Sequence, residues 1–317
     1  MSLPPPRVLL VTGASSGIGR AAAHQAAARG DHLVLAARDE VTLKETAVEC
    51  DAAGAASTLV VPTDVGDDDA VAACVRQVLD RHGRLDGVAH CAGVVAYGRV
   101  EDVPPELFEG VLRTNLLGSV NIARHVLPVL RGQGRGALVL VGSVVGHLAV
   151  PGMSPYVVSK WGVRALARQL QVENRDQAGV SVSLVSPGGV LTPIYEQAAN
   201  YRGWAGRPPP PVDSPEKVAR VVLDRIDHPR KRTQVGELNN VMRFGFTFAP
   251  RLYDALVGPL FRFAALDLTR PLPPVAGNVL RPVPERNRVR GHQVGALVGI
   301  SRNVVAGARR LGPGSDS

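Results

Sequence analysis

The sequence is poor in aromatic residues and in cysteine, and it holds no long uncharged apolar run. Tryptophan, tyrosine and phenylalanine make up 4% of the 317 residues, so aliphatic side chains and alanine must build the core. The three cysteines, Cys50, Cys74 and Cys91, are odd in number. Their spacing fits neither a disulfide framework nor a set of metal ligands, so a reducing compartment and no metal are expected. No stretch of about 18 uncharged apolar residues occurs, which excludes an obvious membrane-spanning helix. The longest candidate, GALVLVGSVVGHLAVPGM, is interrupted by His147, Pro151 and several glycines, and reads as a buried strand with the loop after it. The first residues, MSLPPPRVLL, lack the basic start and apolar stretch of a secretory leader, and a cytoplasmic location is expected.

The net charge of +8 is unevenly placed. Residues 1–195 carry 17 basic and 18 acidic side chains, whereas residues 196–317 carry 19 and 10. The excess positive charge therefore lies entirely in the C-terminal part, which points to two regions with different surfaces. No aromatic interleaving accompanies the arginines, and nucleic-acid binding is not expected.

Apolar runs alternate with helical patterns through the first 190 residues or so. Strands are expected at 7–12, 32–37, 57–65, 85–93, 136–143 and 180–188, with a last edge strand at 232–236. Continuous apolar strands separated by helices imply a parallel sheet covered on both faces, the doubly wound, Rossmann-like α/β class. Ligands of such sheets bind beyond the carboxyl ends of the strands. Helix signals are clear in places. DDDAVAACVRQVLDRH opens on acids and closes on bases, and SPEKVARVVLDRIDH offers Ser214 as N-cap with Pro215 behind it. The expected organisation is a nucleotide-binding domain over 1–240 with a mobile substrate flap at 188–213. An apolar helical extension follows over 241–270, broken near Pro259, and then a flexible Pro- and Arg-rich basic tail over 271–317. A basic amphipathic helix is expected over 294–311.

VTGASSGIGR, residues 11–20, joins the first strand to the first helix. Gly13, Gly17 and Gly19 permit a tight turn and close approach of a pyrophosphate to the helix N-terminus, where free N–H groups and the helix dipole meet the anion. Arg38 stands 19 residues after Gly19, where an acid would bind the ribose 2′-hydroxyl in an NAD site. A guanidinium there suits a 2′-phosphate, so NADP(H) is favoured over NAD(H). The competing reading of Arg38 is a surface arginine at a strand end.

SPYVVSKWGV, residues 154–163, places Tyr156 and Lys160 four apart, on one helix face. An ammonium beside a phenol lowers its pKa, and such a tyrosine can give a proton to a carbonyl oxygen or take it from an alcohol. Ser143, at the end of the fifth strand, can hydrogen-bond the same oxygen.

With these residues in place, the sequence resembles the classical short-chain dehydrogenases/reductases over about 7–195, extending toward 236. TGASSGIG, with Gly13, Ser15, Ser16, Gly17, Ile18 and Gly19, is similar to the family's cofactor loop. Asp64 and Val65 in TDV resemble its adenine contact, and Ala92 and Gly93 its fourth-strand turn. Asn115 in TNLLG resembles the fourth member of a catalytic set with Ser143, Tyr156 and Lys160. Pro187, Gly188, Val190 and Thr192 in SPGGVLT match its nicotinamide-facing segment, Thr192 meeting the carboxamide. The resemblance implies that Lys160 binds the nicotinamide ribose and lowers the tyrosine pKa, and that Asn115 holds a water linking the lysine to solvent.

One departure stands out: HCAG, His90 to Gly93, replaces the family's NNAG. His90 is expected to be a satisfied core histidine rather than a base, and Cys91 a packing residue. The pocket is expected to be lined by Val94, Val95, Val144, Val145, Ile194, Tyr195 and Trp204, which fits a small hydrophobic ketone, aldehyde or secondary alcohol.

The expected activity is thus an NADP(H)-dependent interconversion of carbonyl and alcohol by a homo-oligomer. For the extension the favoured reading is an ordinary packed helix with a solvated tail; capping of the substrate pocket, packing on a neighbouring subunit and peripheral contact with a membrane are the alternatives. The rival class is a non-catalytic NADP(H)-binding regulator using its basic tail. The intact Ser143, Tyr156 and Lys160 weigh against it, since a sensor needs no proton relay.

Overall fold

The computed structural model describes residues 6–293 together with Val298, Gly299, Ser301 and Asn303. Seven strands form one parallel sheet: β1 (Val8–Thr12), β2 (His32–Ala37), β3 (Ser57–Pro62), β4 (Gly87–His90), β5 (Gly136–Val141), β6 (Val180–Pro187) and β7 (Arg232–Val235). Their spatial order is β7-β6-β5-β4-β1-β2-β3. The order reverses beside β1, so the crevice between the carboxyl ends of β1 and β4 is the switch point at which such sheets bind ligands.

Strand periodicity of two divides the core into two layers. Val8, Leu10, Val34 and Ala36 face helices α3 (Asp68–His82), α5 (Gly118–Gln133) and α6 (Ser154–Glu173). Leu9, Val11, Leu33 and Leu35 face α1 (Gly17–Ala27), α2 (Glu40–Ala52) and α8 (Pro215–Asp227). The run Ala21, Ala22, Ala23, Ala26 and Ala27 on α1 is wholly buried; its short side chains let α1 sit close to the sheet and to Val218 and Val222 of α8.

Local signals act as expected. Asp67 accepts from the Ala70 N–H as N-cap of α3, and Gly83 closes that helix in the left-handed region. Ser214 accepts from the Lys217 N–H with Pro215 as the first residue of α8.

Between β4 and β5 the chain is helical from Pro105 to Gln133: α4 (Pro105–Leu112), a π-helical segment (Arg113–Leu117) and α5 follow one another without a gap. The extra residue of a π turn re-aims side chains, and Asn115 lies inside it.

The flap carries the four-residue helix α7 (Ile194–Gln197). Three short ladders pin it: Ala199–Asn200 on Ala96–Tyr97, Val212–Asp213 on Gly189–Val190, and Trp204–Gly206 on Leu266–Pro271.

Beyond β7 the extension differs from expectation in two respects. First, α10 (Pro250–Ala265), which follows α9 (Leu238–Phe248), continues through Pro259 without a break. Pro259 and Ala255, whose carbonyl loses its helical partner, are both exposed, so water replaces the missing hydrogen bond. Second, the chain from Pro271 to Gln293 is placed rather than loose: Val279 is 2% exposed, and the segment returns to the carboxyl edge of the sheet. The expected terminal basic helix falls mostly outside the described residues. Among those described, no helix is long and apolar enough to cross a membrane.

Candidate active site

The loop after β1 and the N-terminus of α1 form one wall of a cleft containing about 890 Å³ of free space, part of it open to solvent. Gly13 has φ +66°, and a β-carbon there would lie 2.9 Å from the Ala92 backbone nitrogen. Gly17 has φ +54°. A β-carbon on Gly19 would stand 2.3 Å from the Gly13 carbonyl oxygen, so α1 abuts its own loop and presents its first N–H groups to the cleft.

Of the residues expected to bind cofactor, Gly13, Ser15, Ser16, Gly17, Ile18, Arg38, Asp64, Val65, Ala92, Gly93 and Thr192 line the cleft. Gly19, Tyr156, Lys160, Pro187, Gly188 and Val190 do not. Gly19 packs behind the loop, Pro187 pairs with Val235 in the sheet, the Gly188 N–H is spent on the Val235 carbonyl, and Val190 belongs to the core. Burial pulls the Arg38 guanidinium below its usual pKa, and the Asp64 carboxylate opposes that shift. Cys91, expected as packing, also lines the cleft; burial pushes its thiol up to about 12.

Deeper along the carboxyl edge, Ser143, Tyr156, Lys160 and Asn115 come together. Tyr156 and Lys160 share a face of α6, with Nζ 5.7 Å from the phenol ring centroid. The ammonium donates to the Val141 carbonyl at 3.0 Å, and burial holds its pKa down to about 8. Burial also raises Tyr156 to about 12, against the opposing hydrogen bond with Ser143. Desolvation of the phenolate thus outweighs the hydrogen bond from Ser143.

Both N–H groups of the Asn115 side-chain amide are taken. Its Oδ1 accepts from the Val94 N–H at 2.8 Å, and its Nδ2 donates to the Val94 carbonyl and to Ser159 Oγ, both at 2.9 Å. Ser159, 0% exposed, donates in turn to the Tyr156 carbonyl at 2.8 Å. It fixes the start of α6 to the π segment. The sequence reading passed over it, although its place three residues after Tyr156, on the same helix face, was a usable signal.

His90 resolves as a satisfied core residue. Thr12 Oγ1 accepts from the Ala92 N–H, which leaves its hydroxyl proton for His90 Nδ1 at 2.8 Å. Nε2–H then donates to Ser119 Oγ at 3.1 Å, and Ser119 donates to the Asn115 carbonyl at 2.7 Å. This chain closes only with a neutral imidazole. Burial, helped by the Lys160 charge, depresses its pKa to about 3.

A pH dependence of stability follows. Between about 6.5 and 3 the unfolded chain binds a proton that native His90 refuses, so stability falls as pH falls. From pH 7 to pH 5 this residue alone removes about 2 kcal/mol. Urea unfolding at the two pH values will show a smaller difference for His90→Asn than for the native sequence.

Tyr156 is half-buried among Val157, Tyr97, Met153, Ile194, Tyr195, Trp204 and Phe261. Val95 is buried within this cluster, Val94 is buried in a separate one, and Val144 is buried next to Ser143.

The model of the short chain dehydrogenase family matches residues 7–202, the stretch that holds the glycine loop and all four converging side chains. The chain belongs to that family. This dehydrogenase is 32% identical over 261 residues to an uncharacterized oxidoreductase, YxnA, of Bacillus subtilis, a match spanning 79% of this chain and 71% of that protein. It is 30% identical over 260 residues to dehydrogenase/reductase SDR family member 7B of Xenopus laevis, covering 79% of this chain and 80% of the other. In structure it resembles the X-ray structure of an alcohol dehydrogenase from the archaeon Thermococcus sibiricus, complexed with 5-hydroxy-NADP. That match has a TM-score of 0.61 and 28% identity, and covers 74% of this chain and 95% of the other. The dehydrogenase is therefore an oxidoreductase acting on CH–OH groups.

Proposed function

We propose that this dehydrogenase uses NADP(H) to interconvert a hydrophobic ketone or aldehyde and its alcohol, with Tyr156 handling the proton at the substrate oxygen. The convergence of Ser143, Tyr156 and Lys160 at the inner end of a glycine-lined cleft carries this reading. The cleft fits a dinucleotide, because side chains at Gly13 or Gly17 would strain the backbone and crowd Ala92 and Thr192 of its lining. Gly13, Ser15, Ser16, Gly17 and Ile18 would hold the diphosphate and Arg38 the 2′-phosphate. Asp64 and Val65 would hold the adenine, and Ala92, Gly93 and Thr192 the nicotinamide half. When bound, the cofactor supplies or accepts the hydride. The complex of the Thermococcus relative with a modified NADP supports the choice of the phosphorylated form.

In reduction, the phenol of Tyr156 donates its proton to the carbonyl oxygen while Ser143 holds that oxygen in place. A tyrosine near 12 holds its proton at neutral pH but releases it reluctantly, so Lys160 is needed to stabilise the charge left behind. In oxidation the same groups act in reverse. Asn115 and Ser159 keep α6 in register so that Tyr156 meets Ser143. The apolar packing about Tyr156, from Ile194, Tyr195 and Trp204, favours substrates without charge at the reacting end. The expected homo-oligomer and peripheral membrane contact each need an exposed apolar face. Helices α9 and α10 supply one, with Phe244, Phe248, Leu252, Leu256 and Leu260 all exposed.

Titration with NADPH and with NADH, followed by nicotinamide fluorescence, tests the cofactor reading without knowledge of the substrate. NADPH is expected to bind more tightly, and Arg38→Asp to weaken it about tenfold or more by removing charge-assisted bonds to the 2′-phosphate. Equal loss of both cofactors on that substitution would remove Arg38 from the specificity argument. A panel of hydrophobic ketones and aldehydes then tests the substrate class.

A further inference from the structure

The anion donors of the cleft already have partners, and those partners come from the far end of the chain. The Gly17 N–H, at the start of α1, donates to the Arg288 carbonyl at 2.9 Å. The Arg38 guanidinium donates to the carbonyls of Asn278 at 2.6 Å and Val279 at 3.0 Å. Asn287 Nδ2 lies 3.3 Å from Asp39 and 3.2 Å from Thr42, at the start of α2. Asn278, Pro282, Val283 and Asn287 form the outer wall of the cleft itself.

We propose that residues 275–293 are a self-occluding strap, which holds the dinucleotide cleft closed through backbone carbonyls that stand in for phosphate oxygens and is displaced when cofactor loads. The inference rests on the NADP(H) reading above.

A carbonyl oxygen carries a partial negative charge and two lone pairs, so it satisfies an N–H or a guanidinium that would otherwise lie buried and unpaired. The same hydrogens cannot serve a phosphate at the same time. A phosphate wins the exchange because its hydrogen bonds are charge-assisted, but the apparent affinity falls by the fraction of molecules whose cleft is open.

The strap is built to stay. Its anchors lie outside the cofactor donors, on α7 and the residues just before it. Glu196 pairs with the Arg288 guanidinium, accepts from the His292 N–H at 2.5 Å, and offers its own carbonyl to Arg286 at 2.5 Å. The Asn278 N–H reaches the Gln197 carbonyl at 2.8 Å, and Gln197 Nε2 reaches Asn287 Oδ1 at 2.9 Å. Gly277 turns the strap with φ +56°, so close to the flap that a β-carbon would lie 2.3 Å from the Gln197 carbonyl oxygen. Ile194 and Tyr195, on the same short helix, pack in the cluster around Tyr156. The strap therefore holds both the cofactor wall and the apolar lid of the reacting tyrosine.

Hydrogen exchange of the full chain, with and without saturating NADPH, decides the matter, with nicotinamide fluorescence reporting binding in the same samples. The amides of 275–293 are expected to exchange at least about tenfold faster once NADPH is bound, while the loop around Gly17 becomes protected. Slower or unchanged exchange in 275–293, with fluorescence showing that NADPH has bound, would overturn the proposal, since the segment would then close over the cofactor or ignore it.

Glu196→Gln and Gly277→Ala loosen the strap at separate anchors without touching a cofactor donor. Each is expected to tighten NADPH binding at least about threefold, and unchanged or weaker binding in both would also overturn the proposal. If the native chain binds neither dinucleotide but these variants bind NADPH, the strap is shown to be fully closed. If none of the three binds either dinucleotide, the cofactor reading fails and the strap has nothing to exclude.

Discussion

Tyr156→Phe will lower turnover by about 10²- to 10⁴-fold, the range spanned by removal of a general acid or base, while NADPH binding stays nearly unchanged. Phenylalanine keeps the ring that packs against Tyr195, Val157 and Met153 and removes only the hydroxyl and its bond to Ser143. The fold has no reason to move, and the cleft that would hold the diphosphate lies on other elements. The substitution therefore separates proton transfer from binding. Steady-state kinetics beside a fluorescence titration read the two effects independently. Turnover that survives the change would remove Tyr156 from the chemistry altogether.

Lys160→Met carries the second large effect, and it has two signs. Turnover is expected to fall about a hundredfold or more, because no cation then stabilises the phenolate. Stability is expected to rise. The native pKa of Lys160, about 8, lies below that of a free lysine, and its ammonium has one protein acceptor, the Val141 carbonyl. The unfolded chain holds the lysine proton more tightly than the native chain between about 8 and 10.5, so native stability falls as pH drops through that window. At pH 7 the full penalty, about 3 kcal/mol, is present. Methionine fills the same space without it, so the urea midpoint should increase while activity is lost. In the native sequence, activity in the reductive direction should decline above pH 8 as Lys160 loses its proton, a limb that the methionine variant will not show. A variant that is both less active and less stable would mean that the ammonium is better compensated than the geometry indicates.

The sheet and the site were legible in the sequence for one physical reason: each depends on residues close together along the chain. Strands buried on both faces leave continuous apolar runs such as VLLVT and ALVLV, and helix ends leave Asp67, Gly83 and Ser214. The glycine loop and the Tyr156–Lys160 pair are each contained within ten residues. Ser159 and the His90 relay were harder to see, because serine and histidine fill many structural roles and only the partners Asn115, Thr12 and Ser119 define these. The π turn left no sign in RTNLL, which suits an ordinary helix equally well. The stretch after Pro271 was unreadable on principle. Its composition is that of a disordered tail, and its order comes from hydrogen bonds to Gly17 and Arg38, more than 230 residues away.

That separation also sets an order in time. Chains emerge from the ribosome N-terminus first and fold in the same sense, at about 5–20 residues per second. The loop at Gly17 and the arginine at position 38 precede β7, whereas the carbonyls that cover them belong to residues 278–288. The nascent protein therefore passes through an interval of several seconds in which its sheet is complete and its cleft uncovered. A dinucleotide present at synthesis meets an open site, while one added to the finished protein must first displace the strap. Expression in cells rich in the cofactor and refolding in its absence should consequently yield the same polypeptide in two different states of loading.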